Sequence, residues 1–289
     1  MKYINIRNRR RYLKIIIAAV VCIFLFYCYK KMEQNSNRSL VPILLYHDIT
    51  ETGKGESSIS EHIFITHLDA IKEAGYQTVT FQQLIDFVEN GVDLPSKPIL
   101  ITFDDGYVSN YEIAYPALKE RDMQATIFII GNSVGKDTYK ETGSPMILHF
   151  SYEQAQEMVK SGTISIQSHT YDLHQYEPLE GNKYREGILP RSGETMEEYQ
   201  DAIYQDLKKS ISDIQLNLGE TVNVLAYPFG LHTKESEEIC TELGIKVTLT
   251  TQMEPAHLIQ GDMNSLRLLG RYSIDDCTVD ELFTLIEGK

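Results

Sequence analysis

Pro98-Ile-Leu-Ile-Thr-Phe-Asp-Asp-Gly-Tyr107 is a run of β-forming side chains that ends on two carboxylates and a glycine turn. Read outward from this run, the chain repeats the pattern. Short β-rich runs recur at 41–46, 78–80, 125–130, 164–167, 222–226 and 246–250. Between them, apolar residues at three-to-four spacing predict helices over 61–74, 81–90, 109–121, 151–161, 195–218, 234–243 and 278–287. Several of these close on Gly75, Gly91, Gly162, Gly219 or Gly244. Strict alternation of strand and helix implies a parallel sheet, either doubly wound or closed into a barrel. There is no internal repeat and no linker long enough to divide the body.

The 289 residues suit one large domain with an appendage, and 42% apolar with 24% charged side chains is an ordinary packed composition. Four Cys are too few for a disulfide scaffold, and no C-x-x-C pair suggests a zinc knuckle. Cys240 and Cys277 read either as one disulfide or as two unpaired buried thiols. The net charge of −14 conceals a division. Residues 1–40 carry nine Lys or Arg against the single acid Glu33, which leaves a strongly acidic body. Such a body argues against nucleic acid as a partner, because that affinity rests on clustered cations.

Residues 15–29 are an uninterrupted apolar run between basic flanks. With Tyr12, Leu13 and a snorkelling Lys14 it reaches the length of a membrane span. No small-x-small cleavage site comes after it, so an uncleaved signal anchor is favoured over a cleaved signal. The heavier basic cluster at Arg7–Lys14 leaves the N-terminus in the cytoplasm. The expected organisation is a cytoplasmic tail 1–14, a transmembrane anchor 15–29, a linker 30–40 and an extracellular catalytic domain 41–289. That makes it a single-pass protein of the cell membrane.

In βα folds the chemistry gathers at the carboxyl ends of strands. Four such ends present His47-Asp48, Asp104-Asp105-Gly106-Tyr107, His169-Thr-Tyr-Asp-Leu-His174 and Tyr227-Pro228-Phe229-Gly230. Two imidazoles and one carboxylate can hold a zinc-like divalent ion and leave a position open for water. A second carboxylate beside the first is then free to take a proton from that water. The chemistry this suits is metal-assisted hydrolysis.

These motifs resemble those of the NodB-homology polysaccharide deacetylases, carbohydrate esterases that remove N-acetyl groups from polymers of N-acetylglucosamine. The resemblance runs over nearly all of residues 41–289, and Thr102-Phe103-Asp104-Asp105-Gly106 matches the first family motif throughout. It implies Asp104 as the catalytic base, and Asp105, His169 and His174 as ligands of a divalent metal, Zn²⁺ foremost. The second motif carries one residue more than His-Ser/Thr-x-x-His. That departure resembles the branch acting on biofilm poly-N-acetylglucosamine.

Further departures point the same way. Ala226-Tyr227-Pro228-Phe229-Gly230 replaces the usual Arg-x-Pro-Tyr motif, with the Tyr227 backbone N–H expected as oxyanion donor and its ring as a groove wall. Tyr107, Pro228 and Phe229 are expected beside it at the substrate. Arg271, in Leu268-Leu-Gly-Arg-Tyr272, is the candidate to replace the missing arginine by orienting Asp104. The late Leu-x-His motif is absent, but Leu45-Tyr46-His47 has its pattern. This resembles the circularly permuted branch and would make His47 the general acid.

The expected fold is a distorted (β/α) barrel of about seven parallel strands, preceded by one N-terminal transmembrane helix. The expected activity is metal-dependent release of acetate from N-acetylglucosamine units of a cell-surface or extracellular polysaccharide. Peptidoglycan deacetylation and an inactive glycan-binding module are the alternatives. The polar stretch 175–195 reads either as a loop over the groove or as a surface excursion, and no protein partner is legible.

Overall fold

The computed structural model describes residues 37–55 and 57–287, with Ile16, Ile17 and Val20 of the N-terminal segment. Apart from those three, the expected tail 1–14 and anchor 15–29 lie outside the described residues. No helix among the described residues is long and apolar enough to cross a membrane. The chain divides after Ser39, and the sheet, its helices and the candidate site all belong to the unit Leu40–Lys289.

The centre of this unit is an eight-stranded sheet, parallel at every pairing. Its strands are β1 (Ile43–Tyr46), β2 (Gln77–Thr78), β3 (Pro98–Phe103), β4 (Ala125–Ile129), β5 (Ile164–Ser168), β6 (Val224–Ala226), β7 (Val247–Leu249) and β8 (Tyr272–Ser273). They lie in the order β7-β6-β5-β4-β3-β1-β8, while β2 pairs with the first half of β3. The seven-strand path fits a distorted barrel. The longer helices are α1 (Glu61–Glu73), α2 (Phe81–Asn90), α3 (Tyr115–Glu120), α4 (Tyr152–Lys160), α5 (Met196–Leu218), α6 (Lys234–Glu242) and α7 (Val279–Glu287), with one further helical turn at Glu177–Glu180. Side chains of Ser60, Thr80, Ser151, Thr195 and Thr233 cap five of them by accepting a first-turn N–H.

The strand sequences are apolar at nearly every position because both faces of the sheet are covered. Leu44, Tyr46, Ile101, Phe103, Ile127 and Ile129 belong to the core shared with α1, α3, α4 and α5. Ile43, Leu100, Phe128, Val224, Ala226 and Leu249 belong to a second core that Phe81, Leu84 and Val88 of α2 complete.

One segment, 268–274, bonds to both ends of the row of strands. Leu269 pairs with Leu249 of β7, its N–H donating to the Thr248 carbonyl at 2.8 Å. Tyr272 then pairs with Leu44 of β1, and the Ile274 N–H donates to the Leu45 carbonyl at 2.9 Å. Gly270 permits this approach, since a Cβ there would stand 2.5 Å from the carbonyl oxygen of Gln252. The sequence pattern does not reveal β8, because two residues carry no periodicity.

Phe64 of α1 is fully buried, with its ring edge-on to Tyr46 at 5.3 Å and to Phe103 at 5.8 Å between centroids. It therefore props the two strands whose ends carry His47 and Asp104. Phe64→Ala should cost about 3–5 kcal/mol of stability, read as a lower urea midpoint with an unchanged slope. A loss under ~1 kcal/mol would show that this contact is not core packing.

Candidate active site

β1 and β3 are neighbours in register, Tyr46 opposite Phe103, so His47 and Asp104 emerge side by side at one mouth. The Asp104 N–H continues the ladder by donating to the Tyr46 carbonyl at 3.0 Å. Asp105 then turns into the left-handed region at φ 71, followed by Gly106 at φ 87. A Cβ on Gly106 would press on Ile129 at 3.0 Å. This turn gives two consecutive carboxylates different surroundings.

Asp104 faces Arg271, which donates from Nη1 to Oδ1 and from Nη2 to Oδ2, both at 2.7 Å. Arg271 is fully buried and also donates from Nε to the Thr250 carbonyl at 3.1 Å. Burial alone would raise the Asp104 pKa; the Arg271 guanidinium reverses this and holds the carboxyl well below the usual range. The structure thus brings Arg271 to the carboxylate it was expected to orient.

Asp105 faces two imidazoles, one of which, His169, also stands 3.8 Å from Asp104 Oδ2 through its Nε2. Asp105 Oδ1 lies 3.6 Å from His169 Nε2 and 3.8 Å from His174 Nε2. Burial works against its ionisation, but His174, His47 and His169 together hold its pKa down. The His169 ring is set by Nδ1, 2.8 Å from the Ala226 carbonyl, which fixes Nδ1 as donor and turns the Nε2 lone pair toward Asp105. Burial lowers the His169 pKa, which favours the neutral ligand form. One ligand atom from each of Asp105, His169 and His174 lies within 4.8 Å of the others. Asp105 Oδ1 is moreover a buried carboxylate oxygen without a hydrogen-bond partner. An orphaned anion facing two imidazole nitrogens fits a divalent cation.

The loop between the two histidines is pinned from behind. Asp206 of α5 accepts the N–H groups of Tyr171 and Asp172, each at 2.8 Å, and burial pushes its pKa up to about 7. Thr170 within this loop is left-handed at φ 71 and accepts the Leu173 N–H on its hydroxyl at 3.2 Å. The His47 loop is held in a similar way. Asn110 donates to the His47 carbonyl at 2.8 Å, and Ser109 donates to Asp48 at 2.6 Å. Asn110 opens a short π-helical turn, Asn110–Ala114, where a regular helix was expected. Half-buried His47 lies close enough to influence both carboxylates.

A cleft of about 720 Å³ opens over Asp105 and His174. Tyr107 and Phe229 line it as expected, the Phe229 ring 4.4 Å from that of His174. Burial, then the Asp105 charge, raises the pKa of the Tyr107 phenol. Tyr227 and Pro228 do not line the cleft. The Tyr227 N–H is spent on the Leu249 carbonyl at 3.0 Å, and its fully buried ring donates from the hydroxyl to Glu237 at 2.6 Å. The expected oxyanion donor and groove wall is therefore a core residue that continues the β6–β7 pairing. Pro228 is buried with it.

His149, absent from the expected set, lines the cleft with its ring 5.0 Å from Tyr107. It lies far from every strand-end motif in the sequence, so nothing local marks it. Ser109, Asn110 and Asp206 read equally well as polar residues of exposed helix faces. Gln175, Tyr176 and Leu179 bring the start of the 175–195 stretch onto the cleft. Its later part is anchored by buried Arg185, which donates to Glu194 and to the Leu189 carbonyl. Cys240 and Cys277 are free thiols.

The polysaccharide deacetylase family model matches residues 91–248. YxkH of Bacillus subtilis (strain 168) is 33% identical over 222 residues, covering 76% of this chain and 68% of that protein. A poly-beta-1,6-N-acetyl-D-glucosamine N-deacetylase of Staphylococcus epidermidis is 27% identical, covering 68% of this chain and 62% of that protein. IcaB from Ammonifex degensii superimposes with a TM-score of 0.71 at 26% identity, over 86% of this chain and 97% of that one.

The Asp104–Arg271 pair has a signed consequence. Because the folded pKa of Asp104 is depressed, the pair stabilises the protein above the ordinary carboxylate range, and that contribution disappears as pH falls through the folded value. Arg271→Gln, which leaves a buried uncompensated carboxylate, should cost about 3–5 kcal/mol at pH 7. The gap to wild type should narrow as pH falls toward 4, because the orphaned Asp104 carboxyl of the variant, its pKa raised by burial, takes up a proton in that range while the wild-type pair is still intact. Urea melts at the two pH values check this, and a gap that widens in acid would contradict it.

Proposed function

The chain belongs to the polysaccharide deacetylase family, and from that membership we propose that it hydrolyses N-acetyl groups of N-acetylglucosamine units in a cell-surface or extracellular polysaccharide. The observation that carries this reading is the division between neighbouring carboxylates: Asp104 held on both oxygens by Arg271, Asp105 with Oδ1 free of any hydrogen bond before two imidazoles. The name of the Staphylococcus epidermidis relative favours a β-1,6-linked polymer.

In this mechanism Asp104 accepts the proton of the water that attacks the acetamide carbon. Arg271 occupies one lone pair on each Asp104 oxygen, which leaves others free to take that proton. His47, at the adjoining strand end, donates a proton to the nitrogen as the C–N bond breaks. The products are acetate and a glucosamine ammonium. A divalent cation held by Asp105, His169 and His174 would supply polarisation of the acetamide carbonyl and a more acidic water. The Tyr227 N–H, already bonded to the Leu249 carbonyl, is not the oxyanion donor in this mechanism. The apolar run 15–29 and its asymmetric basic flanks favour anchoring in the cell membrane with the catalytic unit outside.

The test is acetate release from β-1,6-linked N-acetylglucosamine oligomers by the full chain, before and after chelation and on return of Zn²⁺. Activity should vanish with the metal and return with it. Asp104→Asn should keep metal and lose about 10²–10⁴-fold in rate, and His47→Ala should lose rate without losing metal. Near-wild-type turnover in Asp104→Asn, or activity indifferent to chelation, would overturn the mechanism.

A further inference from the structure

The cleft changes character along its length. Near the strand ends it holds Asp105, His149 and His174; its other walls carry Tyr139, Met146, Ile147, Tyr176 and Leu179 with the uncharged polar side chains of Ser133, Ser144 and Gln175. No lysine, arginine, aspartate or glutamate is among the described residues lining this outer part. Ile147 and Tyr176 are 46% and 59% exposed, so large apolar surface faces solvent at the rim of a site for a polar ligand.

The charged groups nearby are turned on one another. Lys140 pairs with Asp172 at 2.8 Å and with Glu180, while the Tyr139 hydroxyl donates to Glu180 at 2.6 Å. The Tyr176 N–H donates to the Tyr139 hydroxyl at 3.1 Å. This clasp joins the two walls, the 138–149 loop and the 175–180 turn, and fixes the shape of the cleft between them. The cavity is in the size range that encloses a ligand about as large as a disaccharide, so a single sugar at the catalytic end leaves the outer part open.

We propose that the outer cleft is a subsite for the saccharide unit beside the one being deacetylated, and that it admits a neutral, still N-acetylated unit in preference to a charged one. The inference rests on the deacetylase reading. The C–H face of a sugar ring and the methyl of its acetamide match aromatic and aliphatic walls. A glucosamine ammonium would lose water there without gaining a carboxylate, and a carboxylate-bearing sugar would gain no cation. Long-range attraction between the acidic body and a cationic polymer would favour the opposite order.

The test uses the Zn²⁺-loaded full chain and three trisaccharides. Each has a central N-acetylglucosamine flanked on both sides by N-acetylglucosamine, by glucosamine or by N-acetylmuramic acid. Loss of the central acetyl group is monitored by mass spectrometry. The neutral flanks should give a kcat/KM about tenfold or more above either charged pair. Ile147→Asp, at an exposed rim position, should shrink the gap to the glucosamine-flanked substrate, chiefly through KM, at unchanged Tm. Equal or faster reaction with charged flanks, or an unchanged ratio in folded Ile147→Asp, would overturn the subsite. Acetate from none of the three would sink the deacetylase reading itself, and the subsite with it.

Discussion

The buried bond between Arg271 and Asp104 joins the closure of the sheet to its chemistry. Arg271 comes from the segment that bonds to both ends of the row of strands, and Asp104 ends a strand at its middle. An ion pair taken wholly out of water is a poor source of stability, because desolvation offsets much of the attraction. Its value here is assignment. Both oxygens of Asp104 are held by one guanidinium, so the carboxylate stays ionised and fixed in direction. Asp105, one residue on, is left with an oxygen that no protein group satisfies. Two identical side chains thereby acquire different roles from position alone.

The backbone around them is strained in a consistent way. Asp105, Thr170 and Phe229 are non-glycine residues with φ of 71, 71 and 59, each just beyond a different strand end. Such conformations persist when their surroundings over-determine them. At Thr170 the neighbours are the Asp206 carboxylate and the Gly131 N–H, which donates to the Thr170 carbonyl at 3.1 Å. At Phe229 the turn is spanned by the Gly230 N–H donating to the Tyr227 carbonyl at 2.9 Å and the Leu231 N–H donating to the Pro228 carbonyl at 3.2 Å. The strained turns aim Asp105, the 169–174 loop and Phe229 at one mouth, and the helices behind them hold the aim.

Much of this was legible in the chain itself. Apolar strands between amphipathic helices marked the parallel sheet, and acids and imidazoles at strand ends marked the mouth. What escaped was whatever depends on tertiary partners. β8 is too short to carry a pattern, yet it closes the row. Tyr227 sits in a motif that invites a catalytic role, and only the β6–β7 register reveals that its N–H is already bonded. Asn110 hides in a helical pattern and turns out to start a π-helical turn that grips the His47 carbonyl. Asp206 and His149 reach the site from elements with no motif at all. Arg271 was legible as the candidate to orient Asp104 only through the resemblance, and the carboxylate 167 residues away that it grips supplies the physical reason.

The central claim is that Asp105 and the two histidines form the cation site while Asp104 stays with Arg271. Anomalous diffraction from crystals of the protein grown with Zn²⁺ tests it most directly. One peak should appear, bounded by Asp105 Oδ1, His169 Nε2 and His174 Nε2, with both Arg271–Asp104 hydrogen bonds intact. A peak ligated by Asp104 after it has left Arg271, or a cation bound elsewhere with these three side chains unoccupied, would contradict it.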